Sequence, residues 1–352
     1  MNFSLKPVSN KLEQTVFESF FVSKQFQAGK FLQSLAWAEF LNQHGQETIK
    51  LLIRDQNRKI IGKILVIIAK NAGFRYAYCP YGPIMPWQKF QPNEIKKLFE
   101  LIINFLKKQN CIFLKINPPV LAKNRNLVQK ISNLKLSKSQ TNQPAQTLYL
   151  NLRQPTDLLL KNMKSKTRYN IRLAQRKNLK INSQVNQDNF NNFYKIAQTT
   201  AQRNQFKLHQ KTYYQDMFEV LAKANILKIY SALYQKKVIA SILVIHYQNT
   251  ATYLHGASSN QNRNLMAPYL LQFHAINQAQ RANLFFYDFW GIDQKKWPGV
   301  TRFKIGFGGQ IIQYLPTYEI KINNRLYPTY TLLRKLAGWK NKHFFNHKTR
   351  KS

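Results

Sequence analysis

Acidic residues are scarce in this chain. Its 352 residues include 14 Asp plus Glu against 54 Lys plus Arg, a formal charge of +40. There are only two cysteines, Cys79 and Cys111, without C-x-x-C spacing, so a disulfide framework is excluded and both read as buried thiols. The longest apolar run, Ile60 to Ala69, is broken by Gly62 and Lys63. It falls well short of the roughly 20 residues a membrane span needs. The first residues, Met-Asn-Phe-Ser-Leu-Lys-Pro, show no apolar leader core, so the expected location is the cytoplasm. P-loop, G-x-S-x-G and H-E-x-x-H motifs are absent, and Gly306-Phe-Gly-Gly309 is not a G-x-G-x-x-G turn. His343-x-x-x-His347 has zinc-like spacing but no Cys or carboxylate nearby, so neither a metal nor a cofactor is expected.

What remains is enough for a folded protein. The 44% hydrophobic content can build a core, and the length suits two domains or one large one. Lys outnumbers Arg 39 to 15, a bias that codon usage in an A/T-rich genome produces by itself. Clustering is more informative. Lys161, Lys164, Lys166, Arg168, Arg172, Arg176, Lys177 and Lys180 put eight cations and no acid into 20 residues. Such a helix face is either simply solvated or meets phosphate, where neutralisation releases counterions. No acid follows Glu319, and the stretch Arg334 to Lys351 is strongly basic, a composition that also permits peripheral adsorption to the inner membrane face.

A weak internal repeat organises the chain. Lys59-Ile-Ile-Gly-Lys-Ile-Leu-Val-Ile67 aligns with Lys237-Val-Ile-Ala-Ser-Ile-Leu-Val-Ile245 at six identical positions of nine. An aromatic strand follows in each copy (74–79, 251–255), then an amphipathic helix (93–109, 268–282) and a short apolar strand (111–116, 284–289). Further helices are expected at 35–43 upstream of the first copy, and at 188–203 and 213–224 in the second. Hairpins mixed with a β-α-β crossover imply an α/β (α+β) architecture with mixed sheets flanked by helices. This is the element order of the GNAT acyltransferase fold, in tandem. The expected domains are 1–145 plus a returning 318–352, and 146–317.

A GNAT unit that uses acetyl-CoA needs a glycine-bearing turn whose amides cradle pyrophosphate at a helix N-terminus. Here the second copy reads Arg263-Asn-Leu-Met266-Ala-Pro268, and Pro268 has no N–H to offer. The first copy, Tyr81-Gly-Pro-Ile-Met-Pro86, is also proline-rich. Acetyl-CoA is therefore not an expected partner, and a larger, more anionic acyl carrier is.

Seven fragments in order carry a family resemblance: Gln33-Ser-Leu-Ala-Trp37, Tyr81-Gly-Pro-Ile84, Phe113-Leu-Lys-Ile-Asn-Pro-Pro119, Met163-Lys-Ser-Lys-Thr-Arg-Tyr-Asn-Ile-Arg172, Gly256-Ala-Ser-Ser259, Tyr287-Asp-Phe-Trp-Gly-Ile292 and Arg302-Phe-Lys-Ile-Gly-Phe-Gly308. Together they resemble the Fem family of non-ribosomal peptidyltransferases that build peptidoglycan interpeptide bridges. With no room for a long inserted arm between Asp188 and Ala224, the chain resembles the shorter FemX-like type. The resemblance implies attack by an amine of a peptidoglycan precursor, nucleotide-linked or lipid-linked, on the ester of aminoacyl-tRNA. It implies that Phe303 and Lys304 form the catalytic pair, with Lys304 offering positive charge to the oxyanion or the donor ribose. The bland alternative is an ordinary strand lysine, and the intact Gly306-Phe-Gly-Gly309 that follows favours the functional reading.

For the acceptor, the family's R-x-x-x-Y segment falls on His209-Gln-Lys-Thr-Tyr213, so Tyr213 carries over, His209 replaces an arginine, and Lys207 or Lys211 supplies the missing charge. A second family tyrosine is His255. For the tRNA, the acid-free cluster itself puts forward Lys164, Lys166, Arg168 and Arg172. Among the acids, Asp288 and Asp293 flank a turn at a strand end, where sites often lie, and the family's acidic position is Asn117. Two other readings are a noncatalytic nucleic-acid-binding protein on a degenerate GNAT pair, and tRNA-dependent aminoacylation of a lipid headgroup, as in lysyl-phosphatidylglycerol synthases.

Overall fold

A computed structural model describes residues 2–20, 30–132, 134 and 136–336. The basic stretch beyond 336, with His343 and His347, lies outside the described residues. In chain order the elements are β1 (Ser4–Pro7), α1 (Lys11–Ser19), α2 (Leu35–Gln43), β2 (Glu47–Arg54), β3 (Ile60–Asn71), β4 (Phe74–Cys79), α3 (Pro92–Lys108), β5 (Cys111–Ile116), α4 (Arg125–Ser132) and β6 (Ser137–Lys138). There follow β7 (Gln146–Asn151), α5 (Thr156–Asn162), α6 (Ser165–Arg176), β8 (Lys180–Asn182), α7 (Gln187–Asn204), α8 (Lys211–Lys223), β9 (Leu227–Tyr234), β10 (Lys237–Tyr247), β11 (Thr250–Ser258), α9 (Ala267–Arg281), β12 (Phe286–Gly291), α10 (Pro298–Ile305), β13 (Gln310–Gln313) and β14 (Tyr318–Lys321). A last helix begins at 326. The tandem α/β class expected from the sequence holds: two mixed sheets, each with helices against it.

The described residues divide into two compact units. The first takes 2–20, 46–142 and 315–336, and the second 30–45 and 143–314. In the first unit the sheet runs β1-β2-β3-β4-β5-β14-β6, with β4 and β5 parallel. β5 is buried throughout and β3 from Gly62 to Val66, as near-continuous apolar runs require when helices cover the sheet. α3 starts from a Gln91/Glu94 capping box with Pro92 in its first turn, and ends on Lys107 and Lys108, which suit the dipole. Its buried face, Ile95, Leu98, Phe99, Ile102 and Leu106, follows the three-and-four spacing of an amphipathic helix. Buried Lys63 on β3 donates to the carbonyl of Phe17 near the end of α1 at 2.9 Å. Its counterpart in the repeat is Ser241, hydrogen-bonded to Ser231.

In the second unit the order β13-β7-β12-β11-β10-β9-β8 repeats the pattern, with β11 and β12 parallel. The repeated segments are therefore inner strands of equivalent position, β3 and β10. The helix α2 precedes the first copy in sequence, yet it belongs to the second unit, where it packs on α8. The span between Asp188 and Ala224 is filled by α7 and α8. Among the described residues, no helix is long and apolar enough to cross a membrane.

Candidate active site

The centre of the second unit is the place where β11 and β12 part. They pair in parallel from Thr250 with Phe286 to Thr252 with Asp288. Beyond that point Lys304 reaches between them. It sits not on a strand but on α10, and its ammonium donates to the Gly291 carbonyl of β12 at 2.7 Å while lying 5.4 Å from the centre of the Tyr253 ring on β11. Only 7% of Lys304 is exposed. Burial lowers its pKa to about 8, and Asp288 opposes that shift.

Asp288 is fully buried on β12. It accepts hydrogen bonds from the Thr147 hydroxyl and, at 2.8 Å, from the Trp290 N–H. Burial raises its pKa to about 6, against the pull of those two donors, of the Tyr149 hydroxyl and of Lys304. At neutral pH the site therefore holds a charged lysine and a charged carboxylate inside protein. Asp293, the other candidate acid, instead accepts from the N–H groups of Lys295 and Lys296 in an exposed turn.

The rest of α10 explains the placement. Pro298 begins the helix, and Phe303 packs on Tyr269 and Phe307 at ring separations of 4.9 and 5.4 Å. The glycine turn that follows is sterically required. Gly309 has φ +93°, and a Cβ there would lie 2.4 Å from the Tyr149 carbonyl. A Cβ on Gly306 would lie 2.4 Å from Thr167 on α6. Lys164 caps α6 and donates its backbone N–H to the Gly306 carbonyl at 2.9 Å, so the glycine turn and the basic helix are joined directly.

On α6, Thr167, Asn170, Ile171 and Ala174 face inward. Lys166, Arg172 and Arg176 are exposed on the other side, together with Tyr169. Lys164 is exposed as well. Arg168 is half-buried, and its guanidinium donates to the carbonyls of Lys161 and Met163 and so caps the end of α5.

The acceptor candidates also gather in this unit. The His209 ring stacks on Tyr213 at 4.2 Å, and Tyr214 meets His255 at 5.3 Å. His44, which follows α2, touches Tyr213 at 5.2 Å and is bonded to Asp216 at 2.7 Å. Burial, with His44 nearby, keeps the His209 pKa low, and burial with His209 nearby pushes His255 down to about 4. Both imidazoles are hydrogen-bonding groups rather than cations at neutral pH. Lys211 is exposed at the start of α8. A cavity of about 420 Å³ beside this cluster is lined by Tyr194, Gln198, Gln202, Phe206 and His209. Another, of about 430 Å³, shares Tyr149 and Phe307 with the lysine site and adds Asn151, Asn162 and Gln310.

At the start of α9, Met266 is left-handed (φ +55°) and its N–H bonds back to Arg263, Pro268 has none, and the Tyr269 N–H is used by Met266. That leaves a poor cradle for pyrophosphate. Among the described residues, no group of three or more His, Cys, Asp or Glu could hold a metal ion. Sequence reasoning missed Tyr253, Tyr149, Thr147 and Tyr169. The three tyrosines are indistinguishable in a sequence from core or surface aromatics, and nothing in sequence marks Thr147 as the partner of Asp288.

A model of the FemAB family matches residues 12–142, 133–232 and 222–335. The chain belongs to the FemAB family. Aminoacyltransferase FemA of Staphylococcus aureus is 33% identical over 89 residues, 24% of this chain and 21% of that protein, so the chain matches about a fifth of the length of this curated relative. A crystal structure of FemX superposes with a TM-score of 0.80 at 15% identity, over 93% of this chain and 99% of FemX. A tandem GNAT protein from the clavulanic acid biosynthesis pathway superposes with a TM-score of 0.55 at 10% identity, over 91% and 99%. At such identities these structures establish the fold: a FemX-like tandem GNAT architecture.

Proposed function

We propose that this FemAB-family protein is an aminoacyltransferase that moves an amino acid from aminoacyl-tRNA to an amine of a peptidoglycan precursor stem peptide, in interpeptide bridge formation. The observation that carries the reading is Lys304, buried where β11 and β12 part and joined through Gly306 to the start of the basic helix α6. The amine nitrogen attacks the ester carbonyl carbon, and a C–N bond forms as the carbonyl oxygen takes on negative charge. The bond between that carbon and the ribose oxygen then breaks, leaving an amide, and the proton lost by the amine ends on the departing ribose oxygen. An ammonium beside the carbonyl stabilises the tetrahedral oxyanion more than the neutral ester, which lowers the barrier.

In this reading Lys304 touches the reacting atoms and Phe303 packs its helix in place. Asp288, too buried to meet substrate, is a positioning residue that acts through Lys304. Lys164, Lys166 and Arg172 hold the tRNA backbone. His209, Tyr213 and His255 take the acceptor, with Lys211 at its anionic end. The donor places the reaction in the cytoplasm. The test is incubation of purified protein with a mixture of charged tRNAs and either a nucleotide-linked or a lipid-linked precursor. The expected product is a precursor heavier by one amino-acid residue. No increment with any pair, alongside salt-sensitive tRNA binding, would leave the noncatalytic reading standing.

A further inference from the structure

The last helix, 326–336, is held by one face and bare on the other. On its inner side Tyr327 donates to Glu319 at 2.6 Å, Arg334 donates to the same carboxylate at 2.8 Å, and Tyr330 packs on Phe113 and Phe74 at 5.1 and 5.9 Å. Glu319 in turn accepts from Ser139 at 2.5 Å. Rotation of the helix would break this set. On the outer side Leu326, Leu332, Leu333 and Leu336 are 43%, 58%, 40% and 49% exposed. At 3.6 residues per turn these leucines and Thr329 form one stripe roughly 120° wide.

The charge beside the stripe is of one sign. Lys321, Arg325 and Lys335 are exposed cations. No acid follows Glu319 in the sequence, which continues through Trp339, Lys340, Lys342, Phe344, Phe345, Lys348, Arg350 and Lys351. Exposed leucines flanked by lysine and arginine, with no acid, are the composition of a helix face that lies in a lipid interface. Nucleic acid would satisfy the cations but give four leucines nothing to cover them.

We propose that the outer leucine face of helix 326–336 docks this protein on an anionic lipid surface. The apolar stripe alone gives weak, reversible adsorption, and the flanking cations supply the second attraction that stable anchoring needs. The proposal deepens the reading above by naming the surface that brings the enzyme to a lipid-linked acceptor, and it rests on that reading only for the acceptor's identity.

The test uses the full chain with vesicles of phosphatidylcholine, alone or mixed with phosphatidylglycerol. A net charge of +40 binds anionic vesicles by itself, so the deciding variant leaves charge unchanged: Leu332→Gln, Leu333→Gln and Leu336→Gln combined. Its affinity for mixed vesicles should fall by roughly tenfold or more. Leu12→Gln, at an exposed leucine on α1, should change nothing. An environment-sensitive dye on Thr329→Cys should shift to the blue with mixed vesicles, since the native thiols Cys79 and Cys111 are buried.

Undiminished binding of the triple variant, an unshifted dye, or leucine-dependent self-association without vesicle binding would overturn the proposal. Transfer to a soluble precursor is measured in parallel and should survive the triple change. Vesicle binding without any transfer would sink the enzymatic reading alone, and transfer without leucine-dependent binding would sink the docking alone.

Discussion

Replacing the buried pair with Asp288→Asn and Lys304→Met should make the protein more stable and nearly inactive. Asp288 titrates at about 6 in the folded protein against 3.8, and Lys304 at about 8 against 10.5. The signs follow from which state binds more protons. The folded state holds the Asp288 proton longer than the unfolded chain, so stability falls as pH rises from 3.8 to 6. The folded state loses the Lys304 proton earlier, so stability rises between pH 8 and 10.5. From pH 6 to 8 both groups are charged at a cost on the order of 3 kcal/mol each.

An amide at 288 can still accept from Thr147 and Trp290, and methionine can fill the volume of the lysine stem, so the double variant should gain about 1 to 4 kcal/mol at pH 7. Single-turnover transfer from preformed aminoacyl-tRNA should fall by about 10² to 10³. Urea unfolding at pH 5, 7 and 9 checks the first claim: the gain should be largest at pH 7. A double variant less stable than the parent at pH 7, or one that still transfers, would refute the assignment of this pair as a charged site maintained for catalysis.

Reversing Lys166 and Arg172 to Glu should weaken tRNA binding and flatten its salt dependence, measured by filter binding across a salt series, with log–log slope reduced by about 1 per lost phosphate contact. Arg168→Ala should instead lower the unfolding midpoint, seen by circular dichroism, because Arg168 is bonded to the end of α5. His209→Arg should tighten binding of a phosphorylated acceptor roughly tenfold at neutral pH, where His209 is uncharged; the parent should bind better as pH falls through the lowered His209 pKa, and calorimetry across pH tests both. Gly309→Ala should unfold the turn at Tyr149 and abolish transfer, since Cβ and the positive φ both conflict with the backbone there.

The sequence revealed most where burial repeats a pattern. β3 and β10 are central strands covered on both faces, so their composition is constrained twice over and six of nine residues coincide. α3 and α9 announce themselves by proline starts and apolar spacing. β14 could not be found this way, because Tyr-Glu-Ile-Lys is too short to show a period and its place is set by pairing with β5 and β6. α10 was illegible for a related reason: eight residues beginning Pro-Gly-Val-Thr have weak helix propensity, and packing of Phe303 and Lys304 decides the matter. Family resemblance pointed to Lys304, but the buried carboxylate whose charge acts on it, Asp288, lies 16 positions away on another element, a relation only tertiary structure displays. In the cluster from Lys161 to Lys180 eight cations look alike in a string of letters, and the fold alone separates Arg168, bonded to the end of α5, from the fully exposed ones.

The chain leaves the first unit after Asn142 and returns to it at Leu315. β14, the strand it brings back, lies between β5 and β6. During synthesis the first sheet therefore waits, with its β5 edge unpaired, while all of 143–314 is translated. At about 5 to 20 residues per second that interval is roughly 10 to 30 seconds. Throughout it the apolar β5 edge is a template for wrong pairing, so a nascent chain halted anywhere before residue 318 is aggregation-prone however well its second unit has folded. Completion of the first unit thus reports that the second has already left the ribosome.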